Sequence, residues 1–197
     1  MTNEEHSIST YVSDMLALER HIKIPFETQL ADGDFAKQAR AQRTVSKLVA
    51  LCATHVSGLE SCLQRLGGHE ASPLKSAVTQ FEGVVAGAID KMRKTKVSKS
   101  IRDDYTALSL CAISYTMLHA TATAMGEQDV AALALRHLED YANCIIELSE
   151  AMPTIVLDEL EGMGLSVDPT QARTTVEATQ RAWRGSAAAK APGSALN

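Results

Sequence analysis

The sequence predicts an all-α fold: an up-down bundle of four long helices with a shorter crossover helix and a C-terminal extension. Four long segments carry apolar residues at steps of three and four, the signature of one buried helix face. Aromatics make up only 4% of the chain and Ala is abundant, which suits close helix packing better than a sheet sandwich. A long stretch separates the second and third of these segments, enough for a crossover between parallel helices.

The first helix is predicted over about 7–24, with Ile8, Tyr11, Met15, Leu18 and Ile22 as its stripe and Pro25 ending or kinking it. Ala31 to Asp34 reads as a turn, with Asp34 as N-cap of the next helix. The second helix is the clearest. Val45, Leu48, Val49, Cys52, Val56, Leu59, Leu63 and Leu66 hold a heptad-like stripe, and Gly67-Gly68 stops it. Ser72-Pro73 is a start signal, Ser as N-cap and Pro at the first helical position. The crossover helix then runs from Leu74 to about Met92, with Val78, Phe81, Val85 and Ile89 on one face.

A basic run follows: Lys91, Arg93, Lys94, Lys96, Lys99 and Arg102. It reads either as a solvated connection or as a docking strip for an anionic partner. Ser100 to Asp103 resembles a capping box, with Asp103 and Asp104 at the positive end of the third helix. That helix presents Ile101, Tyr105, Leu108, Ala112, Tyr115, Leu118 and Ala122 and breaks at Gly126. The fourth begins near Asp129 and carries Val130, Leu133, Leu138, Tyr141, Ile145, Leu148 and Met152. Pro153 should kink it. The bundle is assigned to 1–162 and the extension to 163–197. In the extension, 169–184 is predicted as a short helix docking through Val176 and Trp183, with the last dozen residues disordered.

The net charge of -5 argues against a general nucleic-acid surface. No apolar run approaches the ~20 residues that span a bilayer, and MTNEEHSIST lacks the features of a signal peptide. The protein is therefore expected in the cytoplasm, away from membranes. Cys52, Cys62, Cys111 and Cys144 form no CxxC pair and sit in apolar helical stretches, as reduced, buried thiols do.

Few polar residues border the apolar faces. Glu19 follows Leu18, and His55 falls between Cys52 and Leu59, so each reads as a boundary residue or as half of a Glu–His pair. His119 and His137 flank the Gly126 turn, as a surface pair or, with Cys111 or Cys144, as part of a zinc site. Cys52 and His55 make a half-site with no evident second half. Tyr105, Tyr115 and Tyr141 need hydroxyl partners if buried, or they line a ligand site. No GxSxG, GxGxxG, Walker loop, HExxH or paired ExxH occurs.

The order of short motifs resembles the YciF-like branch of the ferritin-like superfamily. Asp14 to Glu19 looks like its first-helix acidic motif, and His55 with Gln64-Arg65-Leu66-Gly67 like the close of its second helix. Tyr115, Leu118, Ala120 and Met125-Gly126 look like the end of the third, and Leu138-Glu139-Asp140 with Leu148 like the fourth. The resemblance covers about 10–160 and implies a ferritin-like bundle with a di-metal site. Glu19 and His55 match ligand positions, with Asp140 or Glu139 standing in on the fourth helix. One turn after His55, however, stands Gly58, and the third helix offers Leu108 and Cys111 where acids belong. The expectation is a non-catalytic ferritin-like protein with its metal site largely lost, no resident cofactor, and a structural or interaction role. It is expected to form a homo-oligomer, with further protein contacts through 91–102 or the extension. Two alternatives stand beside it: a divalent metal on a rearranged set of Glu19, His55 and Asp140, or a small molecule in the bundle core.

Overall fold

The computed structural model describes residues 3–33, 35–67 and 97–188, which form five α-helices and one short 3-10 turn. They are α1 (Asn3–Leu30), α2 (Ala39–Arg65), α3 (Val97–Ala124), α4 (Gln128–Gly162) and α5 (Gln171–Ala188), with the 3-10 turn at Phe35–Lys37 before α2. No strand occurs among the described residues. The predicted crossover helix, its Ser72-Pro73 start, the Asp34 cap, much of the basic run and the last residues of the tail lie outside them.

Each of the four long helices buries one strict stripe of alternating three- and four-residue steps. On α1 it is Ile8, Val12, Met15, Glu19, Ile22, Phe26 and Gln29; on α2, Ala41, Val45, Leu48, Cys52, His55, Leu59 and Cys62. On α3 it runs Val97, Ile101, Asp104, Leu108, Cys111, Tyr115, Leu118 and Ala122. On α4 it runs Val130, Ala134, His137, Tyr141, Cys144, Leu148, Ala151 and Ile155. This is the spacing that keeps a seam facing its neighbours along the full length of a bundle.

Side-chain pairs fix the helix directions. Stepping back along α1 from Gln29 to Glu19 moves forward along α3, from Asp104 to Tyr115, so these two run antiparallel. The pairs Ser98–Glu159 and Tyr115–His137 make α3 and α4 antiparallel. Lys47–Glu147 and His55–Asp140 do the same for α2 and α4. It follows that α1 and α4 point one way and α2 and α3 the other. The end of α2 and the start of α3 therefore lie at opposite ends of the bundle.

Several boundaries differ from expectation, each for a physical reason. Helix α1 runs through Pro25 to Leu30. The proline forfeits one backbone bond, but Ile22, Pro25, Phe26 and Gln29 continue the buried face, and burying Phe26 alone is worth about 1.5–3 kcal/mol. The start of α3 comes at Val97, ahead of the capping box expected at Ser100. Its first turn is capped from another helix, Ser98 N–H and Oγ–H donating to the two oxygens of Glu159 at 2.8 and 2.6 Å. Asp104 is not a surface acid at that terminus; it is buried and accepts a bond from Gln29 Nε2 at 2.6 Å. Helix α4 continues through Pro153 to Gly162. The α3–α4 turn forms as Gly126 predicted. With φ 75° it closes a Schellman motif, Glu127 N–H reaching Ala122 O and Gly126 N–H reaching Thr123 O.

Helix α5 packs on α4, with Gln180 Nε2 donating to Glu150 at 2.6 Å. Val176 is half-buried, whereas Trp183 remains 54% exposed; it contributes to a shallow groove with Ile146 and Ser149 and does not act as the buried anchor expected of it.

Candidate functional site

The centre of the bundle is a buried carboxylate with protein donors on both oxygens. Glu19 is fully buried. Its Oε1 accepts from Tyr115 Oη–H at 2.6 Å and from His55 Nδ1–H at 3.0 Å, and its Oε2 accepts from Tyr141 Oη–H at 2.5 Å. All four long helices thus meet at one side chain. A lone buried carboxylate would cost several kcal/mol, and three donors, one of them an imidazole, are what permit it here.

Proton bookkeeping then fixes the neighbours. Both phenols are held far above the usual tyrosine range, first by burial and then by the Glu19 charge, so they stay protonated and donate. With its proton committed to Glu19, Tyr115 Oη must accept from His137 Nδ1–H, 3.0 Å away. His137 is kept neutral: burial first, then the neighbouring His55 and Arg136, lower it to about 3. The same reasoning makes Cys52 the donor to Tyr141 Oη at 3.3 Å; burial and the Glu19 charge push that thiol up to about 12. Burial also raises Cys111 well above a free thiol and Cys144 to about 11. The four cysteines are free and buried, as the sequence suggested.

On its other side, His55 Nε2 lies 3.1 Å from Oδ2 of Asp140, which is 40% exposed. Two carboxylates flank one ring from opposite nitrogens, and both contacts are hydrogen bonds only when each nitrogen carries a proton. The ring also stacks on His137, with centroids 3.9 Å apart and planes 14° from parallel.

The three residues singled out in the sequence, Glu19, His55 and Asp140, are therefore brought together, but around the imidazole and not around a common point. Glu139 is exposed and takes no part. Among the described residues, no group of three or more His, Cys, Asp or Glu is arranged to hold a metal ion. A di-metal centre on this bundle type draws about six ligands, largely carboxylates, and the residues present do not fit one. Each Glu19 oxygen already receives a tyrosine proton, Leu108 and Cys111 fill the core of α3, and stacked rings cannot both direct in-plane lone pairs at one ion. At Gly58 a Cβ would meet Leu133 Cδ1 at 3.3 Å and His137 Nε2 at 3.4 Å. The histidine thus stands against the position where a second-helix Glu would project.

Two expectations are corrected. His137 is a core residue, not one of a surface pair, and His119 instead bonds the Ala131 carbonyl at 2.9 Å. Tyr105 is only partly buried, and the Tyr115 and Tyr141 hydroxyls are engaged by Glu19, so the three do not converge on a ligand. Sequence reasoning missed His137 as a core residue, although it sits on the strict three-four alternation of α4. It also placed Glu19 and His55 at the edge of faces whose middle they occupy.

The fold and core define an all-helical bundle organised around a hydrogen-bonded polar centre. No protein-family model matches the chain, and no curated protein matches it. Among solved structures it is similar to a protein of Xanthomonas campestris pv. campestris known from its crystal structure. The TM-score is 0.67 at 20% identity, covering 82% of this chain and 99% of that one; at that identity the likeness concerns the fold alone. No helix among the described residues is long and apolar enough to cross a membrane.

Proposed function

We propose that this chain is a non-catalytic, ferritin-like bundle of the YciF-like kind, in which a hydrogen-bond network has taken the place of the di-metal site. Its role is structural or interactive, in the cytoplasm and without a resident cofactor. The ferritin-like reading is supported by the helix directions: antiparallel pairs α1/α2 and α3/α4, with α2 and α3 parallel, are the order that one long crossover produces.

One observation carries the loss of the metal. The Glu19 carboxylate accepts from Tyr115, Tyr141 and His55, so the donors that neutralise it are side chains of the protein itself. A cation would have to displace two phenols and break a buried network. The interaction role is supported by Trp183 and Ile146, which lie together in the groove between α4 and α5, each more than half exposed, and apolar surface of this kind marks contact sites. Self-association is expected.

Elemental analysis of protein purified from cells grown with iron, zinc and manganese tests this reading. Less than about one-tenth of an ion per chain agrees with it. One or two ions per chain would overturn it.

A further inference from the structure

A second apolar surface lies between α1 and α3, away from the Glu19 centre. It is a groove of about 330 Å³ with Leu18 of α1 and Leu110, Ile113 and Met117 of α3 among its walls. Ile113 and Met117 are 56% and 53% exposed. That volume falls within the range of small-molecule sites, which are mostly apolar with a few placed polar groups. Two polar groups of α1 meet that description here. Asp14 and His21 both line the groove, seven residues apart, so about 10 Å of helix separates them along one face.

Neither group has a partner. Burial alone raises the Asp14 carboxyl, and no hydrogen-bonding or charged side chain is set against it among the described residues. The facing helix cannot supply a counter-charge: from Tyr105 to Gly126 the sequence holds no Asp, Glu, Lys or Arg. His21 Nε2 is likewise buried without a hydrogen-bond partner. Ser114, the polar residue on the α3 side, commits its hydroxyl to the Leu110 carbonyl at 2.8 Å. A half-buried, unpaired carboxylate favours a cation that donates to it. An imidazole nitrogen can accept from a hydroxyl or donate to it, according to tautomer.

We propose that the α1/α3 groove binds a small apolar-bodied amine: its ammonium on Asp14, its ring or hydrocarbon against Leu18, Ile113 and Met117, and a hydroxyl at its far end on His21 Nε2. The charge of the head follows from the lining, which among the described residues includes Asp14 but neither Lys nor Arg. An anionic head would meet the carboxylate with nothing to offset it. The length follows from the helix, since Ala17 and Leu18 lie between the two polar positions and leave an apolar stretch for one ring with a short arm. The site is separate from the buried network, so this inference does not depend on the metal content of the core.

The test is calorimetric titration of the full chain with tyramine, which carries all three features. Phenethylamine, which lacks the hydroxyl, and hydroxyphenylpropionate, whose head is a carboxylate, are titrated beside it. The same titrations are run on Asp14→Asn, His21→Phe and Ile113→Trp, the last of which fills the groove, with Tm measured to show that each variant folds. Tyramine is expected to saturate the chain by millimolar concentration, roughly fivefold more tightly than phenethylamine, and the carboxylate is expected not to bind. Asp14→Asn should weaken tyramine about tenfold or more. His21→Phe should bring tyramine and phenethylamine level, and Ile113→Trp should abolish binding of both. No saturable binding of tyramine would overturn the assignment, as would tyramine binding that Asp14→Asn or Ile113→Trp leaves unchanged. So would a dimer in sedimentation velocity that Ile113→Glu dissociates and tyramine does not disturb, which would give the groove to a second copy.

Discussion

At the level of single residues, the core depends on buried groups whose charge is permitted or forbidden by what surrounds them. Removing the Glu19 carboxylate leaves two phenols without their acceptor and His55 with one carboxylate in place of two. Glu19→Ala should therefore cost about 3–5 kcal/mol in urea unfolding, and Tyr141→Phe about 1–2 kcal/mol, the loss of one charged hydrogen bond. Asp104 behaves oppositely. It is buried with one oxygen bonded to Gln29 and the other without a partner among the described residues, and burial raises it to about 7. Between the ordinary value of 3.8 and about 7 the folded chain holds a proton that the unfolded chain releases. The stability from this group is thus fully present below about pH 4 and is lost as pH rises through 7. His137, lowered to about 3, gives the reverse slope: its contribution is present above about pH 6.5 and is lost as pH falls toward 3. The two windows overlap and their slopes oppose each other, so between pH 4 and 7 the Tm of Asp104→Asn should rise more steeply with pH than that of wild type, and the Tm of His137→Gln less steeply.

At the level of helices, much could be read from the sequence and the misreadings share one cause. The stops at Gly67 and Gly126, a fourth-helix start near Asp129, one residue from the observed Gln128, and the apolar character of all four long faces follow from local chemistry. Hydrophobicity alone prefers Tyr11 and Leu18 to Val12 and Glu19 on α1, and Val56 to His55 on α2. Following the alternation of three and four steps regardless of residue type places Glu19, Gln29, His55, Asp104 and His137 in the core, where they are. A polar residue on a seam is costly unless it is paired, and its partners sit on other helices, which local pattern does not reveal. For the same reason, the capping of α3 by Glu159 was not legible from residues near Ser98. Gly58 gives a test at this level. Gly58→Glu puts a carboxylate against Leu133 and His137 and should destabilise by roughly 2–4 kcal/mol. Adding His137→Ala should make the pair less damaging than the two single losses summed, because the ring is what the new side chain meets.

At the level of the whole molecule, the long stretch between the second and third helices already allowed a parallel crossover in the sequence, and a few long-range pairs fix the helix directions. An up-down bundle with short loops and one with a long crossover carry the same stripes; pairs such as Gln29–Asp104 and His55–Asp140 distinguish them. The core likewise reads as a single unit, since Glu19 draws a partner from each of the other three long helices. Local substitutions at this centre should therefore report on global unfolding. Added ions should do nothing, because the network is complete without them.

The most direct measurement is the Tm of wild type and Glu19→Gln with Fe²⁺, Mn²⁺ or Zn²⁺ added at millimolar concentration, and again with chelator. Wild-type Tm is expected to be the same in every condition, and Glu19→Gln to lower it by a constant amount throughout. A wild-type Tm raised by metal by about 5 °C or more and lowered by chelator, with both responses absent in Glu19→Gln, would contradict this and make Glu19 a ligand.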